Sequence, residues 1–100
     1  MTKVTLSREA IEDLVRIGDY IFPSNPVRAD TFVTELESKC LQLAKMPLAF
    51  SKVPHSSAAH IRRRPHGSYL IFYEILDAEL VVLRILHGAQ DYESILFPDD

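Results

Sequence analysis

The tetrapeptide Pro23-Ser24-Asn25-Pro26 cuts one long apolar helical periodicity into two, and no other feature restricts the fold of this chain as much. Upstream, Ile11, Leu14, Val15, Gly18, Ile21 and Phe22 recur at spacings that place them on one face of a helix. Pro23 must end that helix, because its ring clashes with the preceding turn and it brings no N–H to the ladder. Asn25 can cap a new helix with Pro26 at the first helical position, where a missing N–H costs nothing. Ala29, Phe32, Val33, Leu36, Cys40, Leu43 and Ala44 then repeat the helical spacing. So short a link between two amphipathic helices predicts an antiparallel helical hairpin. Its start falls at Ser7, whose hydroxyl can accept from a first-turn amide, with Glu9 near the positive end of the helix dipole.

Sequence of β character lies on either side of the hairpin. Lys3-Val4-Thr5-Leu6 alternates polar and apolar residues and predicts a short strand. Met46-Pro47 closes the second helix, and residues 48–57, with Pro54 and the pair Ser56-Ser57, predict a loop. Beyond it, a strand is expected from His60 to Arg64, leading into a Pro65-His66-Gly67 turn. A second runs from Tyr69 to Ile75, Asp77-Ala78 breaks it, and a third runs from Leu80 to Leu86. The order predicts an α+β fold: an N-terminal strand, the antiparallel helical hairpin, then a three-stranded antiparallel meander with the hairpin packed on one face of the sheet. With 47% apolar residues, a chain of 100 residues can bury one modest core without disulfides or metal, so residues 1–100 are read as a single domain.

Composition excludes several function classes. Cys40 is the only cysteine, so no intrachain disulfide and no Cys/His zinc site can be assembled from it, and no cofactor is expected. Glu9, Glu12 and Asp13 interrupt the apolar run that a signal peptide needs, and no segment is long enough to span a bilayer. The expectation is a cytoplasmic protein with no membrane partner. A net charge of −3 argues against a generic polyanion binder and against direct sequence-specific binding of DNA by this chain. Positive charge is local instead. Arg62, Arg63 and Arg64 stand in a row between His60 and His66, whereas the last ten residues hold Asp91, Glu93, Asp99 and Asp100 and no Lys or Arg.

Strand alternation sets Leu80, Val82, Arg84 and Leu86 on one face of the last strand and Val81, Leu83, Ile85 and His87 on the other. Arg84 is the odd member, since a guanidinium among aliphatic neighbours must reach a carboxylate, backbone carbonyls or solvent. A two-residue loop at Asp77-Ala78 would set Ile71 opposite Arg84 and Tyr73 opposite Val82; a slip of one residue would move Arg84 away from the tyrosines. Arg84 can therefore hold a phosphate or a partner's carboxylate, or close a salt bridge inside its own domain. The three consecutive arginines must divide between two faces, where they can form an anion patch or guard an edge strand against pairing. Histidine is the residue type most used for acid–base chemistry, yet one placed like His87, just before a glycine, more often bonds backbone at a strand end. His55, His60 and His66 have no metal-ligand spacing, Cys40 falls on an apolar helix face, and no nucleophile elbow marks a hydrolase.

Four stretches together resemble a known family. They are A-x-x-D-L-x-x-I-x-x-Y-I (Ala10, Asp13, Leu14, Ile17, Tyr20, Ile21), A-x-x-F-x-x-x-L-x-x-x-C-x-x-L (Ala29 to Leu43), G-x-Y-L-I-F-Y (Gly67 to Tyr73) and R-I-L-H-G-A-Q-D (Arg84 to Asp91). In this order, over nearly the full length, the chain resembles the RelE/ParE superfamily of toxins from type II toxin–antitoxin modules and looks closest to ParE. The resemblance implies a toxin held in a hetero-oligomer by a ParD-like antitoxin. ParE-like toxins stall DNA gyrase on cleaved DNA, whereas RelE-like toxins cut messenger RNA in the ribosome. An RNA-cutting site here would draw on Arg84, Arg62 or Arg64, and His87, but the negative net charge and acidic C-terminal segment favour the gyrase reading. A third reading is an inactive relative that only binds its antitoxin. On the same resemblance, Gly88 permits a turn after the last strand, Asp91 serves as a polar anchor for the tail, and His87 is structural or a contact residue.

Overall fold

The computed structural model describes residues 2–54 and 60–98. The chain is an α+β fold of four strands and three α-helices among these residues. In order they are β1 (Lys3–Leu6), α1 (Arg8–Ile21), α2 (Pro26–Gln42), a 3-10 turn (Leu43–Lys45), β2 (Ile61–His66), β3 (Tyr69–Leu76), β4 (Glu79–His87) and α3 (Tyr92–Leu96). The strands lie in the order β1-β4-β3-β2. The meander is antiparallel, and β1 adds to it in parallel with β4, so the sheet is mixed. A parallel neighbour needs a crossover, and here the helical hairpin followed by β2 and β3 makes it. His55, Ser56 and Ser57 of the expected loop, and Asp99 and Asp100, lie outside the described residues.

Both helices begin at the expected caps. Ser7 Oγ accepts from the Ala10 amide at 3.0 Å and donates to the Leu83 carbonyl at 2.8 Å, so one hydroxyl starts α1 and ties it to β4. Asn25 Oδ1 accepts from the Arg28 amide, with Pro26 as the first residue of α2. α2 ends at Gln42, sooner than Met46-Pro47, and its last turn tightens into the 3-10 segment. Gly18 lets the two helices approach closely: a Cβ there would lie 3.3 Å from Val33 Cγ2. The apolar face of α1 differs from the expected one. Ala10, Asp13, Leu14 and Ile17 are buried, whereas Ile11, Val15 and Phe22 are 51%, 60% and 58% exposed. The apolar arc is wider than the sheet can cover, and its second half faces outward along the hairpin.

The meander departs from simple alternation at one residue. Asp77-Ala78 forms the two-residue connection, Leu76 pairs with Glu79, and Tyr73 faces Val82. Phe72 then faces Arg84, which leaves Leu83 unpaired in a β-bulge. Beyond the bulge Ile71 lies opposite Ile85, and Arg84 has moved one place along. Leu80, Val82 and Ile85 therefore point to the helices, while Leu83 and Leu86 join the opposite face. β2 also runs further than expected, through Pro65 to His66, and the turn is made at Gly67-Ser68 with Gly67 at φ 58°. Proline is tolerated there because β2 is the last strand of the sheet.

Two apolar layers sandwich the sheet. On the helix side Leu36, Leu43, Ile71, Tyr73, Leu80 and Val82 are fully buried, and the Tyr73 hydroxyl donates to the Pro47 carbonyl at 2.8 Å. Burying each such leucine or isoleucine stabilises the fold by about 1.5–3 kcal/mol. On the other side Val53, Ile61, Phe72 and Leu86 are covered by Tyr92, Leu96 and Phe97 of the α3 segment. The chain after Gly88 is thus a turn followed by a short helix, where only a turn was expected.

Candidate functional site

The apolar face of α1 carries one charge. Asp13 is fully buried, and its carboxylate accepts from Arg84 Nε at 2.8 Å, Arg84 Nη2 at 2.9 Å, the Ile85 amide at 2.9 Å and Arg16 Nη1 at 2.7 Å. The reason lies in the sheet. β1 ends at Leu6 opposite Val82, so the following edge of β4 has no strand beside it, and Asp13 accepts the Ile85 N–H that a strand would have bonded. Burial alone would push the Asp13 carboxyl up, but the bonds from Arg84, Ile85 and Arg16 outweigh it and hold the group below its ordinary range. The bond to Asp13 raises Arg84 against the opposing effect of burial. Arg84 spends its two-pronged face inside the domain.

The other sequence-derived residues are dispersed. Arg62 Nη1 donates to the Phe50 carbonyl at 2.7 Å, and Arg64 Nη1 donates to the Lys39 carbonyl at 3.3 Å with its guanidinium over the Phe50 ring. Arg63 points to the opposite face and donates to the Tyr92 hydroxyl at 2.8 Å. The segment 51–53 lies along the free side of β2, with the Val53 amide on the Ile61 carbonyl and the Arg63 amide on the Ser51 carbonyl. β3 stands between β2 and β4, which separates the arginine run from Arg84 by roughly 10 Å of sheet. His87 Nδ1 accepts from the Ala89 amide at 3.0 Å, and its ring meets Tyr69 edge-on at 5.1 Å. Asp91 is the N-cap of α3, bonded to the Ser94 amide and, at 2.7 Å, to the Ser94 hydroxyl. Arg62, Arg64, Arg84 and His87 share no hydrogen-bond partner among the described residues. Burial pushes the Cys40 thiol up to about 12, and no group of three His, Cys, Asp or Glu among the described residues can hold a metal ion.

One feature was missed by reading the residues one at a time. Asp13 is the partner of Arg84, and its signal was an acid at a core position of α1 matched by a cation at a core position of β4. The outer groove of the hairpin, about 490 Å3, is lined by Ile11, Val15, Gly18, Phe22 and Val33 and edged by Asp19, Asp30 and Glu37. No helix among the described residues is long and apolar enough to cross a membrane.

Comparison with known proteins places this geometry. The chain has the fold of a P. aeruginosa protein from a chromosomal ParDE toxin–antitoxin system, with a TM-score of 0.77, 19% identity, and coverage of 87% of this chain and 96% of that one. It is also similar to a chain of the RelBE2 toxin–antitoxin complex of Mycobacterium tuberculosis, with a TM-score of 0.66, 21% identity, and coverage of 86% and 96%. A chain of the RelB-RelE complex of Methanococcus jannaschii matches with a TM-score of 0.56, 17% identity, and coverage of 93% and 98%. No curated protein sequence matches the chain significantly. The family model described as ParE toxin of type II toxin–antitoxin system, parDE, matches residues 4–92, and the chain belongs to that family of toxins.

Proposed function

We propose that this toxin acts by binding DNA gyrase in the cytoplasm and arresting it on cleaved DNA, and that a ParD-like antitoxin neutralises it in a hetero-oligomer. The observation that carries the reading is the dispersal of the residues an RNA-cutting site would draw on. Arg84 is locked on Asp13, Arg62 and Arg64 are held by backbone carbonyls, and His87 Nδ1 is occupied by the Ala89 amide. General acid–base cleavage of a ribose phosphate requires those groups to converge on one phosphate, whereas β3 stands between Arg84 and the arginine run. Inhibition by contact needs only surface, and the chain has it.

The outer groove of the hairpin is that surface for the antitoxin. Exposed Ile11, Val15 and Phe22 recur along α1 beside Gly18, where α2 comes close, and form a trough for an amphipathic helix. Asp19, Asp30 and Glu37 along its edge favour a partner with basic residues flanking its apolar anchors. Induced expression of the chain alone, with supercoiling and translation followed in the same cells, tests the reading. Lost supercoiling and DNA damage while translation continues supports gyrase as the target. Early arrest of translation supports the RNA-cutting alternative, and no phenotype supports an inactive antitoxin binder.

A further inference from the structure

A second cleft, of about 790 Å3, opens on the other side of α1, between the C-terminal half of that helix, the start of α2, the β2–β3 turn and the end of β4. Its chemistry is the reverse of the hairpin groove. Arg16 and Arg28 line it, and no carboxylate does among the described lining residues, in a chain whose net charge is −3. Its floor is apolar, made by Ile17, Ile21, Phe32 and Ile85. Its walls are aromatic: Tyr69 lies 5.6 Å from the Phe32 ring and 5.1 Å from the His87 ring, and Tyr20 stands 78% exposed at the rim. Ser68 and Gln90 add neutral hydrogen-bonding groups.

The two arginines keep donors to spare. Arg16 spends Nη1 on Asp13, but that carboxylate already neutralises Arg84, so the three groups together carry one positive charge. Arg28 spends Nη1 on Glu35, which offsets its charge, and lies over the Phe32 ring at 4.8 Å, a ring that also stacks with His66 at 5.7 Å, so the net positive charge at the rim is that of the Arg16 group. Their side chains are 63% and 46% exposed. Aromatic side chains accept a planar ring by stacking, and a guanidinium at the rim accepts an anion tethered to that ring. The volume lies within the range of small-ligand clefts.

We infer that this cleft binds a nucleotide unit, with the base stacked between Tyr20 and Tyr69 and the phosphate held by Arg16 and Arg28. The inference stands on the cleft's own geometry, whether or not gyrase is the target. Its ligand can come from a free nucleotide or from the end of a nucleic-acid strand. An acidic peptide would use the arginines but not the aromatic walls.

The test titrates the purified full chain with AMP, inorganic phosphate, a 5′-phosphorylated pentathymidylate and an Asp/Glu-rich peptide, followed by amide NMR shifts and fluorescence anisotropy. AMP should shift the amides of Gly67, Ser68 and Gln90. Tyr20→Ala and Arg28→Gln, both at exposed positions, should each weaken AMP roughly tenfold with the rest of the spectrum unchanged. Tighter binding of the oligonucleotide than of AMP identifies a strand end as the source; equal binding identifies the free nucleotide. Inorganic phosphate binding as well as AMP, preference for the acidic peptide, AMP shifts that survive both substitutions, or no binding at all would each overturn the inference. A supercoiling assay on Tyr20→Ala reads gyrase inhibition separately.

Discussion

Replacing Asp13 is the most informative perturbation of the fold. Asp13→Ala removes the acceptor of four hydrogen bonds, strands the Ile85 amide in the core and leaves Arg84 without its counter-charge. Breaking a buried pair from one side costs about 3–5 kcal/mol. The Arg84 side chain retains 22% exposure and can recover some hydration, which puts the loss near the lower bound, about 3 kcal/mol. At about 4–8 °C per kcal/mol for a domain of this size, the melting temperature should fall by roughly 12–24 °C. Asp13→Asn keeps an acceptor for the Ile85 amide and should cost less, roughly 1–2 kcal/mol. Asp13→Leu combined with Arg84→Met should recover part of the loss, because two apolar chains leave no charge behind. Urea denaturation of these proteins, with the single variants Asp13→Leu and Arg84→Met to complete the cycle, gives the comparison. A loss below about 1 kcal/mol for Asp13→Ala, or strict additivity in the double variant, would refute the coupling. Acid adds a check of sign. The Asp13 carboxyl is held below its ordinary value of 3.8 in the fold, so its contribution is complete above that value and fades as pH falls through the lower folded one. The acid limb of the stability curve should flatten in Asp13→Asn.

Asp77 occupies the left-handed region at φ 50°, so Asp77→Gly should stabilise the chain by about 0.5–1 kcal/mol in urea unfolding, and any loss would contradict that conformation. Cys40 is fully buried with its thiol pushed up to about 12, so a disulfide reagent at about pH 8 should leave it untouched in the native chain and titrate it fully in guanidinium; rapid native reaction would contradict its burial. Ser7→Ala should cost about 1–2 kcal/mol, since it removes both the α1 cap and the bond to Leu83. Val15→Asp, at a position 60% exposed, should leave the melting temperature of the free chain nearly unchanged while weakening antitoxin binding at least roughly tenfold; unchanged binding by calorimetry would remove the hairpin groove from the interface.

The elements were legible wherever a local rule sufficed. Ser7, Asn25-Pro26 and Asp77-Ala78 each act through their own backbone, and each marks the boundary that the sequence predicts. What escaped depends on partners distant in the chain. The parallel pairing of β1 with β4 joins residues more than seventy positions apart, and nothing in Lys3–Leu6 announces its neighbour. The bulge at Leu83 has no local mark either, since Val81, Val82 and Leu83 suit either face, yet it shifts every later side chain of β4 by one place. Arg84 was visible as an anomaly, but its meaning required Asp13 to be brought to the open edge of β4 by the turn of α1. The surplus apolar arc of α1 was visible too, and only packing divides it into a buried half and an exposed one. α3 is five residues long, too short for periodicity to reveal it.

The most direct test of the account combines the purified chain with DNA gyrase and a relaxed plasmid, and in parallel adds it to a translating extract. The account predicts loss of supercoiling, with linear DNA released on denaturation of the stalled enzyme, and intact messenger RNA. Codon-phased cleavage of the messenger, abolished by Arg84→Lys in a chain that still melts as the native protein does, with supercoiling untouched, would contradict it.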